Sequence, residues 1–309
     1  MFRAGFVGFI GLPNAGKSTL LNALVDEKVA IVSPKPQTTR RRHLGIVTLK
    51  QGQVVLVDAP GLVRADRGLN AFLRQEAEEV MAESDVLLAV LNTDASSPEV
   101  LEEVVQLVHR SGKPWFVVLT KVDLPEYARR REKMESLFAP LTQKDGEPVR
   151  SLEFSSSWSQ ADLVDFKARF WECALALLPE MPAPLYDPEL FTPHTQRELV
   201  AELIREQCFL QLEQELPYSL AVRIRSFQET TKPLRIEADI VVAKENHKAM
   251  VIGRGGQMIK KIGQAARGEI ERLLGEPCFL GLHVVVRENW MSNPLMMRDL
   301  GYRLNTKKE

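Results

Sequence analysis

Cysteine is scarce. The 309 residues hold three, Cys173, Cys208 and Cys278, and they lie far apart. An odd, dispersed set fits neither a disulfide framework nor a zinc site. Each reads instead as a small buried hydrophobe in a reducing, cytoplasmic setting. Long apolar runs are missing too: none reaches the ~18 residues that would suggest a membrane span. That excludes a membrane-spanning chain and leaves peripheral contact with the inner face of the cell membrane open. No segment reads as a signal peptide, because Met1–Ile10 runs directly into an apolar strand pattern. Neither sign of charge dominates, the net charge being −1. No coiled-coil heptad or long exposed apolar stripe stands out, so a monomer is expected.

What is present is the composition of a globular protein, 45% hydrophobic and 26% charged, in a chain long enough for two ordinary domains. The near-zero charge hides an asymmetry. From His194 onward the chain carries +3 and the remainder −4. Within Lys244–Arg267 six basic residues face one acid, Glu245. A local positive patch says more about partners than the total does.

From Phe6 to about Leu178, short apolar runs alternate with amphipathic stretches. Phe6–Ile10, Val54–Val57, Val86–Leu91 and Trp115–Leu119 read as buried strands. Ser18–Val25, Asn70–Met81, Pro98–Arg110, Pro125–Phe138 and Gln160–Leu178 read as helices. The alternation predicts an α/β domain with a mostly parallel sheet. Pro179–Pro193 then holds five prolines, which exclude a regular helix and read as a semi-rigid linker. Beyond it, Thr195–Leu216 has helical spacing, and Ser219–Phe227 and Leu234–Val242 alternate like strands. Gly253–Leu274 reads as a helix with a glycine-rich start, followed by a strand over Phe279–Arg287. The divisions expected are 1–180, a linker at 181–193, and 194–309.

Gly11-Leu12-Pro13-Asn14-Ala15-Gly16-Lys17-Ser18 matches G-x-x-x-x-G-K-[ST], between an apolar strand and a helix that continues through Thr19. The logic is anion binding. Glycines let backbone N–H groups close around phosphates at the positive end of a helix dipole. Lys17 can reach the β- and γ-phosphates, and the Ser18 hydroxyl can ligate Mg²⁺.

Such a loop alone fits kinases, ATPases and GTPases, and later motifs separate them. Asp58-Ala59-Pro60-Gly61 ends an apolar run. An acid there can hold Mg²⁺, and the Gly61 N–H can sense a γ-phosphate, although D-x-P-G by itself is only a turn. Thr120-Lys121-Val122-Asp123 follows the strand Trp115–Leu119. A carboxylate there can accept from N1–H and N2–H₂ of guanine, neither of which adenine offers. ATP would leave buried acceptors unpaired. Lys121 would lay its stem along the base. Phe154-Ser155-Ser156 can offer backbone N–H groups to the guanine carbonyl. Between the first two motifs, Pro36–Arg42 contains Thr38 and Thr39, one of which can complete a Mg²⁺ shell when GTP is bound. Its three arginines read as solvated by default.

In this order GLPNAGKS, PQTTR, DAPG, TKVD and FSS resemble a translation-factor-class GTPase, and the Era family in particular. The resemblance implies Thr39 as the Mg²⁺ ligand beside Ser18 and Asp58. It implies a hydrophobic-substituted enzyme, because Leu62 stands where other switches carry a water-orienting glutamine. Lys17, Thr39, Gly61 and Leu62 are then the residues nearest the chemistry, which is GTP hydrolysis to GDP and phosphate. Two departures stand out. The family usually has Asn in place of Thr120. It usually has Ser-Ala in place of Ser155-Ser156. Thr120 keeps a hydroxyl that can tie the base loop to the phosphate loop, and guanine specificity rests on Asp123.

Val251-Ile252-Gly253-Arg254-Gly255-Gly256, running into Lys260, Lys261 and Arg267, contains G-x-x-G between apolar residues. Alone that is weak. With Leu216–Ser219 before it and Leu300–Tyr302 after it, the stretch resembles the KH domain at the end of Era proteins. A helix and two strands ahead of the loop imply the type II topology. The fold expected is therefore α/β, a P-loop GTPase domain with a mixed, mostly parallel sheet, followed by an α+β type II KH domain. Single-stranded RNA would lie against the glycine loop and an apolar groove. Lys248, Met250, Ile252, Gly253, Arg254, Gly255, Gly256, Lys260, Lys261 and Arg267 would contact it. The resemblance implies a partner as well: small-subunit ribosomal RNA near its 3′ end, on the small ribosomal subunit during assembly. Of two rival readings, a P-loop kinase leaves both TKVD and the KH-like region idle, and the alternative is a non-catalytic, nucleotide-sensing scaffold whose KH-like domain binds protein partners.

Overall fold

Alternation along the strands divides the first half of the chain between two cores. In the computed structural model, which describes residues 1–35, 38–62, 68–95 and 98–303, the chain forms two compact units. The first comprises Met1–Ala30, Thr39–Arg64 and Leu73–Pro193. The second comprises Ile31–Thr38, Ala65–Phe72 and His194–Glu309. Pro36 and Gln37 of the threonine-bearing run, and residues 304–309 of the expected C-terminal domain, lie outside the described residues.

The first unit holds β1 (Arg3–Gly11), α1 (Lys17–Val25), β2 (His43–Leu49), β3 (Gly52–Asp58), β4 (Val86–Asn92), α3 (Pro98–Arg110), β5 (Trp115–Thr120), α4 (Pro125–Glu135), β6 (Ser151–Phe154) and α5 (Gln160–Leu177), with most of α2 (Gly68–Glu83). Its sheet runs β2-β3-β1-β4-β5-β6. All pairs are parallel except β2 with β3. The period of two sends Val7, Phe9, Leu88, Val90, Phe116 and Val118 to one face, against Leu20 and Leu24 of α1 and Phe166 and Phe170 of α5. It sends Ile10, Leu87, Ala89, Leu91, Val117 and Leu119 to the other, against Val80 of α2, Val104 and Val108 of α3, and Met134 of α4. Both faces are covered, so the central strands read as near-continuous apolar runs. Each large buried side chain contributes about 1.5–3 kcal/mol. β1 lies between β3 and β4, and the chain leaves these two neighbours on opposite sides of it. The crevice beyond its carboxyl end is where open α/β sheets place ligands.

The proline-rich stretch after α5 is irregular, and residues 185–192 are strapped along β2 and β3 of the first unit. The side chain of the fully buried Gln53 accepts from the Leu185 and Tyr186 N–H groups and donates to the Tyr186 carbonyl at 2.9 Å. The Ile46 N–H donates to the Phe191 carbonyl at 2.8 Å, and the Thr192 hydroxyl donates to the Leu44 carbonyl.

The second unit contains α6 (Gln196–Gln211), β7 (Ala221–Gln228), β8 (Leu234–Val242), α7 (Glu245–Ile252), α8 (Gln257–Leu274), β9 (Cys278–Val286) and α9 (Pro294–Asp299). The sheet order is β7-β8-β9, antiparallel then parallel. Val200 and Ile204 of α6 and Ala266 and Ile270 of α8 pack on Ile236 and Ala238 of β8. The α–β–β–α–α–β order is that of the type II KH fold. α6 starts in a capping box, Thr195 with Glu198, worth about 1 kcal/mol. Trp290 is fully buried, stacks on Tyr302 at 5.8 Å, and donates its indole N–H to the Ser219 carbonyl. All three cysteines are buried free thiols, and burial pushes Cys208 up to about 12.

Candidate functional site

The phosphate loop is shaped by left-handed backbone at Asn14 (φ 61°) and Gly16 (φ 86°). Gly16 is the N-cap of α1 and provides no side-chain cap, so the first N–H groups of the helix stay available to an anion. Lys17 lies back over the loop. Its ammonium donates to the carbonyls of Gly11 (3.2 Å) and Leu12 (2.9 Å). Burial pushes it down to about 8, against the opposing pull of the Asp58 carboxylate. An ammonium this poorly hydrated gains much from an incoming phosphate.

The three expected metal-site residues converge. The Ser18 and Thr39 hydroxyls are 2.8 Å apart, and Ser18 donates to Asp58 Oδ2 at 2.5 Å. Thr39, rather than Thr38, reaches this cluster; the Thr38 hydroxyl donates to the Lys35 carbonyl. Burial pushes the Asp58 carboxyl up, opposed by Lys17, Ser18 and Thr39. Its Oδ1 is buried without a hydrogen-bond partner among the described residues. Two hydroxyls and a carboxylate with an orphaned oxygen form the hard donor set that suits Mg²⁺.

Gly61 is fixed by proximity. A Cβ there would sit 2.4 Å from the Pro13 nitrogen. The next N–H, of Leu62, donates to the Gly11 carbonyl at 3.2 Å. The Leu62 side chain packs against the apolar cluster that includes Ile10 and Val57, and brings no proton acceptor.

The base loop is tied from three directions. The Thr120 hydroxyl donates to the Ala15 carbonyl at 2.7 Å. The Thr93 hydroxyl donates to the carbonyl of Lys121, whose φ is 59°. The Ser155 hydroxyl donates to Asp123 Oδ1 at 2.5 Å and sits 2.8 Å from that of Ser157. Lys121 pairs with Asp94 at 2.7 Å. Thr93, Asp94 and Ser157 fall outside the motifs, so the sequence reading misses them. A signal exists all the same, since Asn92-Thr93-Asp94 ends β4 just as Gly11 ends β1 and Thr120 ends β5.

The three arginines are not the solvated run expected, and Arg41 is itself half-buried. Arg40 is buried, and Arg42 sits among three carboxylates of α2, pairing with Glu83, Glu79 at 3.1 Å and Glu76 at 3.7 Å. The spacing of those acids, i, i+3 and i+7, places them on one helical face.

In the second unit the glycine loop is left-handed at Gly253 (φ 72°), Gly255 (φ 56°) and Gly256 (φ 76°). A Cβ on Gly253 would strike Met258 at 2.7 Å, whereas those of Gly255 and Gly256 would meet open space. Gly256 caps α8 without a side chain, leaving N–H groups for a phosphodiester. Beside it runs a groove of about 330 Å³ between α8 and the free edge of β9, lined by Ile259, Lys260, Gly263, Arg267, Leu280 and Leu282 among others. Of the expected RNA-contacting residues, Lys260 and Arg267 line this groove. Lys248, Met250 and Ile252 lie on α7, a helix the sequence reading does not separate. Arg254 is exposed in the loop, and Lys261 is exposed on α8 outside the lining.

Residues 6–121 match a family model described as a 50S ribosome-binding GTPase, and residues 215–291 match one described as a KH domain. GTPase Era of Geobacter metallireducens is 38% identical over 97% of this chain and 98% of that protein. GTPase Era of Syntrophus aciditrophicus is 38% identical over 98% and 96% respectively. The chain belongs to the Era family of GTPases. Two solved Era structures superpose on 98% of it with TM-scores of 0.86 at 32% identity. One is Aquifex aeolicus Era, as a variant, bound to GDP·AlF4⁻. The other is Era in complex with MgGDPNP and nucleotides 1506-1542 of 16S ribosomal RNA. Membership in a GTPase family with a KH domain removes the kinase reading. It also accounts for the mostly parallel sheet and for the separate three-stranded one.

Proposed function

We propose that this chain binds GTP with Mg²⁺, hydrolyses it, and binds single-stranded RNA near the 3′ end of small-subunit ribosomal RNA, as a monomeric, cytoplasmic assembly factor of the small subunit. The observation that carries the GTP half is the Thr120–Ala15 tie, which couples the loop bearing Asp123 to the loop bearing Lys17. The RNA half rests on the groove between α8 and β9 and on the relative solved with a 16S segment.

In this reading the N–H groups at the start of α1 and the Lys17 ammonium cradle the β- and γ-phosphates. Ser18, Thr39 and Asp58 would hold Mg²⁺, which offsets charge on the phosphates when bound. Lys17 stabilises charge developing on the transferring phosphoryl group. The backbone around Gly61 and Leu62 orients water, because Leu62 offers no side-chain base. Catalysis is then positional and electrostatic, and basal turnover is slow. Asp123, oriented by Ser155, accepts from the guanine edge.

The test is the affinity of the full chain for a 3′-end small-subunit RNA oligonucleotide at fixed salt, with GDP and with a non-hydrolysable GTP analogue. Tighter binding with the analogue is expected. Equal binding would remove the switch, and no binding would remove the RNA assignment.

A further inference from the structure

The turn that ends β4, residues 92–95, is tied to its surroundings more heavily than a connecting turn requires. Thr93 is fully buried. Its N–H donates to the Thr120 carbonyl at 3.2 Å, and its hydroxyl donates to the Lys121 carbonyl at 2.7 Å. Arg130 of α4 donates from one nitrogen to the carbonyls of Thr93 (3.1 Å) and Ala95 (2.7 Å). Asn92, also buried, donates to Asp94 Oδ1 at 2.6 Å. The second oxygen, Oδ2, accepts from the Lys121 ammonium at 2.7 Å. Burial alone would raise the Asp94 carboxyl, but the hydrogen bonds from Asn92 and Lys121 outweigh it and hold the group below the usual carboxylate range.

Fold stability does not account for the contact between Asp94 and Lys121. Both side chains are about a third exposed, and an ion pair in such a place contributes little. What the contact does fix is the course of the lysine side chain. A lysine stem of four carbons samples many rotamers when free, and laying it along a base then costs entropy. Here both ends are held. The backbone of Lys121 is left-handed at φ 59° with its carbonyl bonded to Thr93, and the ammonium is bonded to Asp94. Thr120 makes this restraint matter more. The asparagine usual there in the family has an amide with two donors. The threonine hydroxyl has one, which goes to the Ala15 carbonyl, with a longer 3.4 Å approach to that of Leu91. The turn after β4 supplies further restraint on the base loop from the opposite side of the motif.

We propose that Asp94 is a positioning residue of the nucleotide site: by holding the Lys121 ammonium, it presets the lysine stem as the platform along which the purine ring lies. The proposal rests on the GTP-binding reading above. Asp94 acts through Lys121 alone. It therefore raises affinity for any purine nucleotide without choosing between bases, which is the work of Asp123.

The test is a double-mutant cycle on the full chain, with GDP affinities measured by calorimetry at fixed salt. Asp94→Asn keeps an oxygen for Asn92 to donate to and presents an uncharged NH₂ to the ammonium. Lys121→Met keeps an unbranched apolar stem that has no charge to be held. Asp94→Asn should weaken GDP binding about fivefold in the otherwise native chain and leave it unchanged in the Lys121→Met background. Equal weakening in both backgrounds would overturn the proposal, because Asp94 would then only support the turn after β4. No weakening in either would overturn it too, because the pair would then be incidental. Base choice gives a second readout. Inosine triphosphate keeps the N1–H of GTP and lacks its N2 amino group. The ratio of GTP to inosine triphosphate affinities should be the same in the native chain and in Asp94→Asn. A changed ratio would overturn the proposal by placing Asp94 in the reading of the guanine edge. A native chain that binds no guanine nucleotide would overturn the GTP-binding reading and this proposal with it, an outcome distinct from the others.

Discussion

The hydroxyl of Thr120 and the carbonyl of Ala15, residues 105 apart in sequence, are joined by a buried 2.7 Å hydrogen bond. The bond holds the base-reading loop at a fixed distance from the phosphate loop. Thr120→Val keeps the shape and removes the donor, leaving the buried Ala15 carbonyl unsatisfied. The expected cost is about 1–3 kcal/mol, seen as a roughly tenfold or greater loss of GDP and GTP affinity by calorimetry. The preference for GTP over ATP should survive, because Asp123 is untouched. Its collapse in this variant would contradict the division of labour.

Ser155 and Asp123 form the complementary pair. Asp123→Ala should bring GTP and ATP affinities together from a difference of at least about a hundredfold. Ser155→Ala leaves the carboxylate present but loosely held, so a smaller loss of about 0.5–1.5 kcal/mol is expected. Competition binding with GTP and ATP orders the two variants. Equal losses would mean that Ser155 acts on the base itself.

Lys17 makes opposite predictions for affinity and stability. Its ammonium sits at about 8 in the folded, nucleotide-free chain, below the usual lysine value of about 10.4. Phosphate binding needs the charged form, so nucleotide affinity should fall by about tenfold between pH 7 and pH 9. In the same window the unfolded chain binds more protons than the folded one, so this group adds stability to the nucleotide-free protein as pH rises. Lys17→Ala should remove the pH dependence of affinity along with tight binding and turnover. A retained pH dependence in that variant would point to another group.

Gln53 makes a prediction about the proline-rich stretch. Gln53→Leu removes the acceptor for the Leu185 and Tyr186 N–H groups and the donor to the Tyr186 carbonyl. Hydrogen exchange and limited proteolysis within 181–193 should accelerate, with little change in nucleotide affinity. Unchanged protection would show that the backbone contacts at Ile46 and Thr192 suffice.

Much of this is legible in the sequence because the chemistry is local. The phosphate loop, Asp58 and the TKVD run that carries Asp123 each stand at the end of a near-continuous apolar strand, and such strands are hard to mistake when both faces are buried. β2 is hidden because His43–Leu49 is a mixed-polarity edge strand, antiparallel to β3, with neither a clean alternation nor a long apolar run. α7 is hidden because its eight residues carry almost no amphipathic pattern, only His247 and Val251 being buried. The fates of Arg42 and Gln53 are illegible for another reason. The carboxylates around Arg42 lie 34 to 41 residues away and the strap groups held by Gln53 lie 132 to 133 away, and no local pattern encodes such pairings.

The approach of Gly61 to Pro13 bears on how loss-of-function variants of this chain are to be interpreted. Any side chain at position 61 meets the phosphate-loop backbone before it meets a nucleotide. An inactive Gly61→Ala protein therefore reports a collision in the scaffold, and its kinetics say nothing of the γ-phosphate contact proposed for the Gly61 N–H. The two are separable only in the main chain. An amide-to-ester replacement at Gly61, made by semisynthesis, deletes the N–H without adding an atom where Pro13 stands. The rate difference it produces is then the contribution of that single donor.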